Sequence, residues 1–153
     1  MLSTVDDETF TSNNSLDISG DDVFVFRPTT AGDYSSGTFT ILLNGGGAGG
    51  SPIPDIISGI TLVESPVTVG GFSLQAGDFL YARQNGSALT KADIYRFSPT
   101  GVGDSTTDGT LDRFLNSQHV SITGEVDAID IVETAVEING TAKFGFTIAI
   151  TGK

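Results

Sequence analysis

Apolar residues in this chain come in short runs bounded by glycine, proline, asparagine or aspartate, and no stretch holds the three-to-four spacing of an amphipathic helix over ten residues. Val23–Phe26 and Ile94–Phe97 are runs of aromatic and β-branched side chains, as expected of strands covered on both faces. Thr38–Leu43 starts polar then apolar and alternates by two, the mark of a strand with one face inward. The closing segment sets Phe144, Phe146, Ile148 and Ile150 on one face of a strand. Further strands are expected at Leu2–Val5 and Ile60–Val63; Leu16-Asp-Ile18 leads through Gly20-Asp21 into the run at Val23, Val67-Thr-Val69 precedes Gly70-Gly71, and Asn85-Gly86 gives a hairpin turn. Many short strands with turn signals between them predict an all-β domain.

One of these patterns is written twice. Asp22-Val-Phe-Val-Phe-Arg-Pro-Thr-Thr-Ala-Gly-Asp33 aligns with Asp93-Ile-Tyr-Arg-Phe-Ser-Pro-Thr-Gly-Val-Gly-Asp104, and Gly37-Thr38 meets Gly109-Thr110 after one inserted residue. Each copy reads as a strand, a turn and a strand, most simply a hairpin with a long connection. Proline fixes φ and has no N–H, so the ladder is expected to end at Pro28 and Pro99, or to reach a sheet edge there. A weaker echo sets Ser73–Arg83 against Ser15–Arg27, and Leu62-Val63-Glu64-Ser65 against Ile131-Val132-Glu133-Thr134. The 153 residues are therefore read as a single all-β domain, 1–153, made of two repeats of about 70 residues, 10–80 and 81–153. The expected architecture is a β-sandwich with an internal pseudo-twofold repeat; the alternative is a barrel or propeller-like blades. At this length roughly two-thirds of the unfolded surface is buried on folding, enough for a core.

Charge narrows the partners. Seven Lys and Arg stand against 19 Asp and Glu, a formal net charge of −12. Nucleic acid and anionic membranes need clustered cations, so neither is an expected partner. No run is long and apolar enough for membrane insertion. With no cysteine there are no disulfides, thiolate metal sites or thiol nucleophiles. The start, Met1-Leu-Ser-Thr-Val-Asp-Asp-Glu, lacks the basic and apolar regions of a signal peptide, and the chain reads as a segment cut from something longer.

The repeated Asp-x-x-x-Phe-x-Pro-Thr-x-x-Gly-Asp core, followed by Gly-Thr, resembles short repeat units found in tandem in large bacterial secreted and cell-surface proteins. In those units an acidic pair opens a strand, Pro-Thr follows, and a Gly-Thr-aromatic strand leads to an acidic loop. Val126-Asp-Ala-Ile-Asp130 resembles the strand that comes next. Here the acidic loop is replaced by Asn44-Gly-Gly-Gly47 in the first copy and Asn116-Ser-Gln118 in the second. The resemblance implies an extracellular, repetitive, non-enzymatic part of a larger surface protein.

Candidate chemistry rests on carboxylates. Asp104, Asp108 and Asp112 occupy the first, fifth and ninth places of a calcium-loop spacing, with Gly109 at the sixth, and hard oxygen ligands at those offsets suit calcium. Leu115 stands where the closing glutamate belongs. Asp6, Asp7 and Glu8, with Asp21 and Asp22, form a second acidic group that shares a cation if its strands are neighbours. The plain reading of the same residues is charge at strand ends that discourages edge pairing. His119, the only histidine, sits on what reads as a strand edge, no nucleophile elbow is present, and no spacing selects a carboxylate pair. The expectation is a non-catalytic structural or adhesive module, stabilised by calcium and able to self-assemble, whose partners are neighbouring domains or copies of itself. A carbohydrate-binding module is the alternative, with glycans meeting Tyr34, Tyr81 or Tyr95; a carboxylate-dependent hydrolase ranks third.

Overall fold

The computed structural model describes residues 7–46, 53, 56–84 and 91–150. The strands expected at Leu2–Val5, the turn at Asn85-Gly86 and residue Asp6 lie outside them. The described chain is all-β, in chain order β1 (Glu8–Thr11), β2 (Ser15–Ile18), β3 (Val23–Thr30), β4 (Asp33–Leu43), β5 (Ile57–Leu62), β6 (Val67–Val69), β7 (Phe72–Leu74), β8 (Phe79–Arg83), β9 (Ile94–Gly101), β10 (Asp108–Leu115), a 3₁₀ turn at Ser117–Val120, β11 (Val126–Ile138) and β12 (Thr141–Ile150). Four two-stranded antiparallel ribbons, β1–β2, β3–β4, β6–β7 and β11–β12, accompany a four-stranded sheet ordered β10-β9-β8-β5. No sheet closes into a barrel among the described residues, an arrangement compatible with a β-sandwich. Among these residues no helix is long and apolar enough to cross a membrane.

The chain forms two compact units. The first holds residues up to Ile57 together with Pro99–Gly109, and the second holds Ser58–Ser98 with the residues from Thr110 onward. The division does not follow the repeat boundary expected near residue 80: Ser58 onward already groups with the second unit, and the tip of the second hairpin, Pro99–Gly109, groups with the first.

In the first unit the alternation of β4 turns Phe39, Ile41 and Leu43 inward, and β2 and β3 supply Ile18 and Phe24. Phe10 of β1 packs on this cluster, with ring centroids 5.0 Å from Phe24 and 5.1 Å from Phe39. The second unit has a larger core, in which Val63, Val67, Leu74, Leu80, Ala82, Ile94, Val126, Ile129 and Ile131 are buried together. Its β11–β12 hairpin turns on Asn139-Gly140, both at positive φ (51° and 73°), the pairing that a two-residue type I′ turn demands.

Both copies of the repeated pattern are hairpins, β3–β4 and β9–β10, and their first strands cover equivalent positions, 23–30 and 94–101. One expectation needs correction. The connection in the first copy is short, Ala31-Gly32 alone, whereas the second uses the six residues 102–107. Each proline lies inside its strand but where the expectation placed it, at a sheet edge for Pro28 and beyond the end of the β8–β9 ladder for Pro99. Pro28 lies opposite Gly37, whose own N–H and C=O turn away from β3 toward Ser12 and Asn13. The missing proline N–H therefore falls where the ladder makes no demand on it. Pro99 lies past Phe97, where the pairing of β9 with β8 ends.

Candidate functional site

The acid that opens each repeat is buried, and its role is the same in both. Asp22 is 3 % exposed and Asp93 1 %. Asp22 accepts a hydrogen bond from the Gly45 N–H at 2.9 Å, and Asp93 one from the Ser117 N–H at 2.8 Å. Gly45 and Ser117 each lie two residues beyond the end of the hairpin's second strand, so the carboxylate ties the base of its own hairpin shut. Asp93 also accepts the Ser117 hydroxyl at 2.8 Å and faces the Arg113 guanidinium at 3.4 Å.

A third buried acid, Asp78, explains the weaker echo. Its carboxylate accepts the Gln75 N–H at 2.9 Å while its own N–H donates to the Gln75 carbonyl, closing the turn before β8. Asp22 does the same with Ser19, accepting its N–H at 2.8 Å and donating to its carbonyl. The signal for Asp78 was the echo of Ser15–Arg27 in Ser73–Arg83, which carried no functional assignment.

Within the first unit an open cleft of about 450 Å³ is lined by five carboxylates, Asp7, Glu8, Asp17, Asp22 and Asp104, with Thr9, Ser19 and Asn44 between them. It takes Asp7 from the N-terminal acidic group, Asp22 from the repeat opening and Asp104 from the calcium-spaced loop; Asp21 does not line it. Asp17 accepts from the Thr9 hydroxyl at 2.7 Å and Asp104 from the Asn44 side-chain amide at 2.8 Å. Neither Asp17 nor Asn44 was a candidate ligand in the sequence, since Asp17 is a lone acid within β2 and Asn44 read as the start of a glycine-rich loop. The donor set is hard oxygen, the kind that suits calcium, and the concentration of negative charge attracts cations. Among the described residues no three of these groups converge closely enough to hold an ion in this arrangement.

The remaining members of the calcium spacing lie elsewhere. Asp108 opens β10 and caps its neighbour's N–H, Gly109, at 2.8 Å. Asp112 sits within β10 in an ion pair with Arg96 of β9. Extended backbone from residue 108 spaces these acids along a strand instead of wrapping them around one point. His119 belongs to the exposed 3₁₀ turn capped by Asn116 rather than to a strand edge. Of the tyrosines, Tyr81 is buried and stacked on Tyr95, while Tyr34 stands alone at the β3–β4 tip, 74 % exposed.

At that tip the Ser35 hydroxyl and N–H hold the Asp33 carboxyl below its ordinary pKa. A depressed folded-state value contributes stability above the unfolded pKa that is lost as pH falls through the folded one. The Asp33 carboxyl resonance, followed by NMR against pH, is expected to titrate below the usual aspartate range, and Ser35→Ala to move its midpoint up. An unchanged midpoint in Ser35→Ala would remove the hydroxyl as the cause.

No protein-family model, no curated protein and no solved structure matches the chain.

Proposed function

We propose that the chain is a non-catalytic structural or adhesive module of a bacterial secreted or cell-surface protein, that its acidic cleft takes up calcium, and that its sheet edges meet neighbouring domains or copies of itself. The observation that carries this reading is the use made of the buried acids. Asp22, Asp78 and Asp93 are each committed to backbone N–H groups that close turns and hairpins, and His119 lines neither the cleft nor a core. A hydrolase would instead present a carboxylate pair toward substrate with one proton held between distinct environments. The repeat resemblance supports the extracellular setting, and the cleft lining supports calcium.

A thermal melt after exhaustive chelation, repeated with calcium and with magnesium, tests the metal part. Calcium at a hundredfold excess over Kd adds about 2.7 kcal/mol, which for a domain of this size is roughly 5–10 °C in Tm. Magnesium at the same concentration is expected to give less, because it dehydrates reluctantly and demands stricter geometry. Asp7→Asn with Asp104→Asn is expected to abolish the shift. A melt that neither cation moves would end the calcium reading and leave a metal-free scaffold.

A further inference from the structure

The chain writes Asn-Gly at 44, 85 and 139, and the steps at 44 and 139 lie among the described residues. Asparagine before glycine is where a polypeptide most readily attacks itself, because a glycine nitrogen with no side chain beside it can close on the asparagine's own Cγ. The nitrogen must be free to lose its proton, and the side-chain amide free to swing onto it. Asn44-Gly45 is denied both. The buried Gly45 N–H is held by the Asp22 carboxylate at 2.9 Å, while the Asn44 Nδ2 donates to Asp104 at 2.8 Å and the Asn44 N–H to the Thr107 hydroxyl at 2.9 Å. Asn139-Gly140 is denied neither. The pair forms the exposed turn between β11 and β12, where the ladder joins Ile138 to Thr141 and leaves the Gly140 N–H outside it. Among the described residues, neither that N–H nor the Asn139 amide has a hydrogen-bond partner. Thr134, Val136, Glu137 and Thr141 beside the turn are exposed as well. Beyond the register shift the tip is held by the pairing of Val136 with Lys143, Glu137 with Ala142 and Ile138 with Thr141, and a ribbon end so short opens on its own.

We propose that Asn139 is a self-modification site, at which the chain deamidates without an enzyme, and that Asp22 and Asp104 keep Asn44 from the same reaction. The Gly140 nitrogen gives its proton to hydroxide and forms a bond to the Asn139 Cγ. The Cγ–Nδ2 bond then breaks, and the nitrogen leaves as ammonia after taking a proton from water. A second water opens the resulting five-membered imide at one of its two carbonyls. Opening at one carbonyl leaves aspartate, and opening at the other reroutes the main chain through Cβ as isoaspartate. Water is the only co-reactant. Each event adds a carboxylate to a chain whose formal charge is already −12, and the isoaspartyl product lengthens the main chain of a two-residue turn by one methylene. The inference stands on these contacts and does not depend on calcium or on an extracellular setting.

The test ages the purified wild-type chain for weeks at mildly alkaline pH with a chelator present, once native and once in concentrated urea. Peptide mapping with electron-transfer fragmentation follows residues 44 and 139 and tells aspartate from isoaspartate. In the native chain residue 139 is expected to convert to a mixture of the two, at a rate that rises in proportion to hydroxide. Residue 44 is expected to convert at least roughly tenfold more slowly, because it reacts only after its carboxylate hydrogen bonds have opened. In urea, where neither step is held, the two rates are expected to converge. A native Asn139 that outlasts its counterpart in urea as strongly as Asn44 does overturns the site. Conversion of Asn44 as fast in the native chain as in urea overturns the protection by Asp22 and Asp104. Aspartate as the sole product at 139 means direct hydrolysis and overturns the attack by Gly140.

Discussion

Asp93→Ala is expected to lower the unfolding free energy by about 3 kcal/mol, since it deletes two hydrogen bonds to a charged acceptor inside the protein. The variant strips the Ser117 N–H and hydroxyl of this acceptor and leaves Arg113 without its carboxylate partner. Urea unfolding followed by far-UV circular dichroism reads the effect as a fall in midpoint of roughly 1–2 M at unchanged slope. Ser117→Ala removes the hydroxyl alone and is expected to lose about 1 kcal/mol. The exposed Asp130 serves as control, and its replacement by alanine should stay within about 0.5 kcal/mol of wild type. An Asp93→Ala midpoint indistinguishable from that control would mean that the hairpin base is held by something other than the buried carboxylate.

Phe24→Ala is the second large effect, about 4 kcal/mol. Phe24 is 2 % exposed and its ring meets Phe10 at 5.0 Å and Phe39 at 6.1 Å, with Ile18 and Ile41 completing the cluster. Truncation removes the aromatic contacts and leaves a void that two short strands and a hairpin close only in part. Phe24→Leu keeps most of the volume and is expected to lose nearer 1 kcal/mol. The same urea titration separates the two, and similar midpoints for Phe24→Ala and Phe24→Leu would show that the small core collapses around the gap.

The strands were legible because alternation and bounding turn residues report directly on which side chains face inward. Val23–Phe26, Thr38–Leu43 and Ile94–Phe97 are all in strands where the pattern sets them. The equivalence of Asp22 and Asp93 was legible as well, but the purpose of those acids was not. Their partners lie 23 and 24 residues downstream, and a carboxylate-to-backbone bond across a hairpin leaves no mark on periodicity. The prolines did mark an edge and a ladder's end, but which side of the strand the missing N–H faces is fixed by register and not by residue type. The spacing of Asp104, Asp108 and Asp112 describes a loop only if the segment curls, and an extended β10 sends Asp112 to Arg96 instead. The cleft was half legible. Asp7, Glu8 and Asp22 were named in one group and Asp104 in another, and only the fold brings them to one lining with Asp17 and Asn44.

Asp22 fastens both its own turn, through Ser19, and its hairpin, through Gly45, whereas in the other half of the chain those tasks fall to two residues, Asp78 and Asp93. Positions that align in the repeat are therefore unequal under substitution. A change at 78 loosens the turn and its tie to the Ser98 hydroxyl, and one at 93 loosens a hairpin base, each leaving the other task in place, while a change at 22 loosens turn and hairpin base at once. In a pool of random variants, position 22 should admit fewer replacements than either of the others, and the first hairpin should be the slower of the two copies to drift.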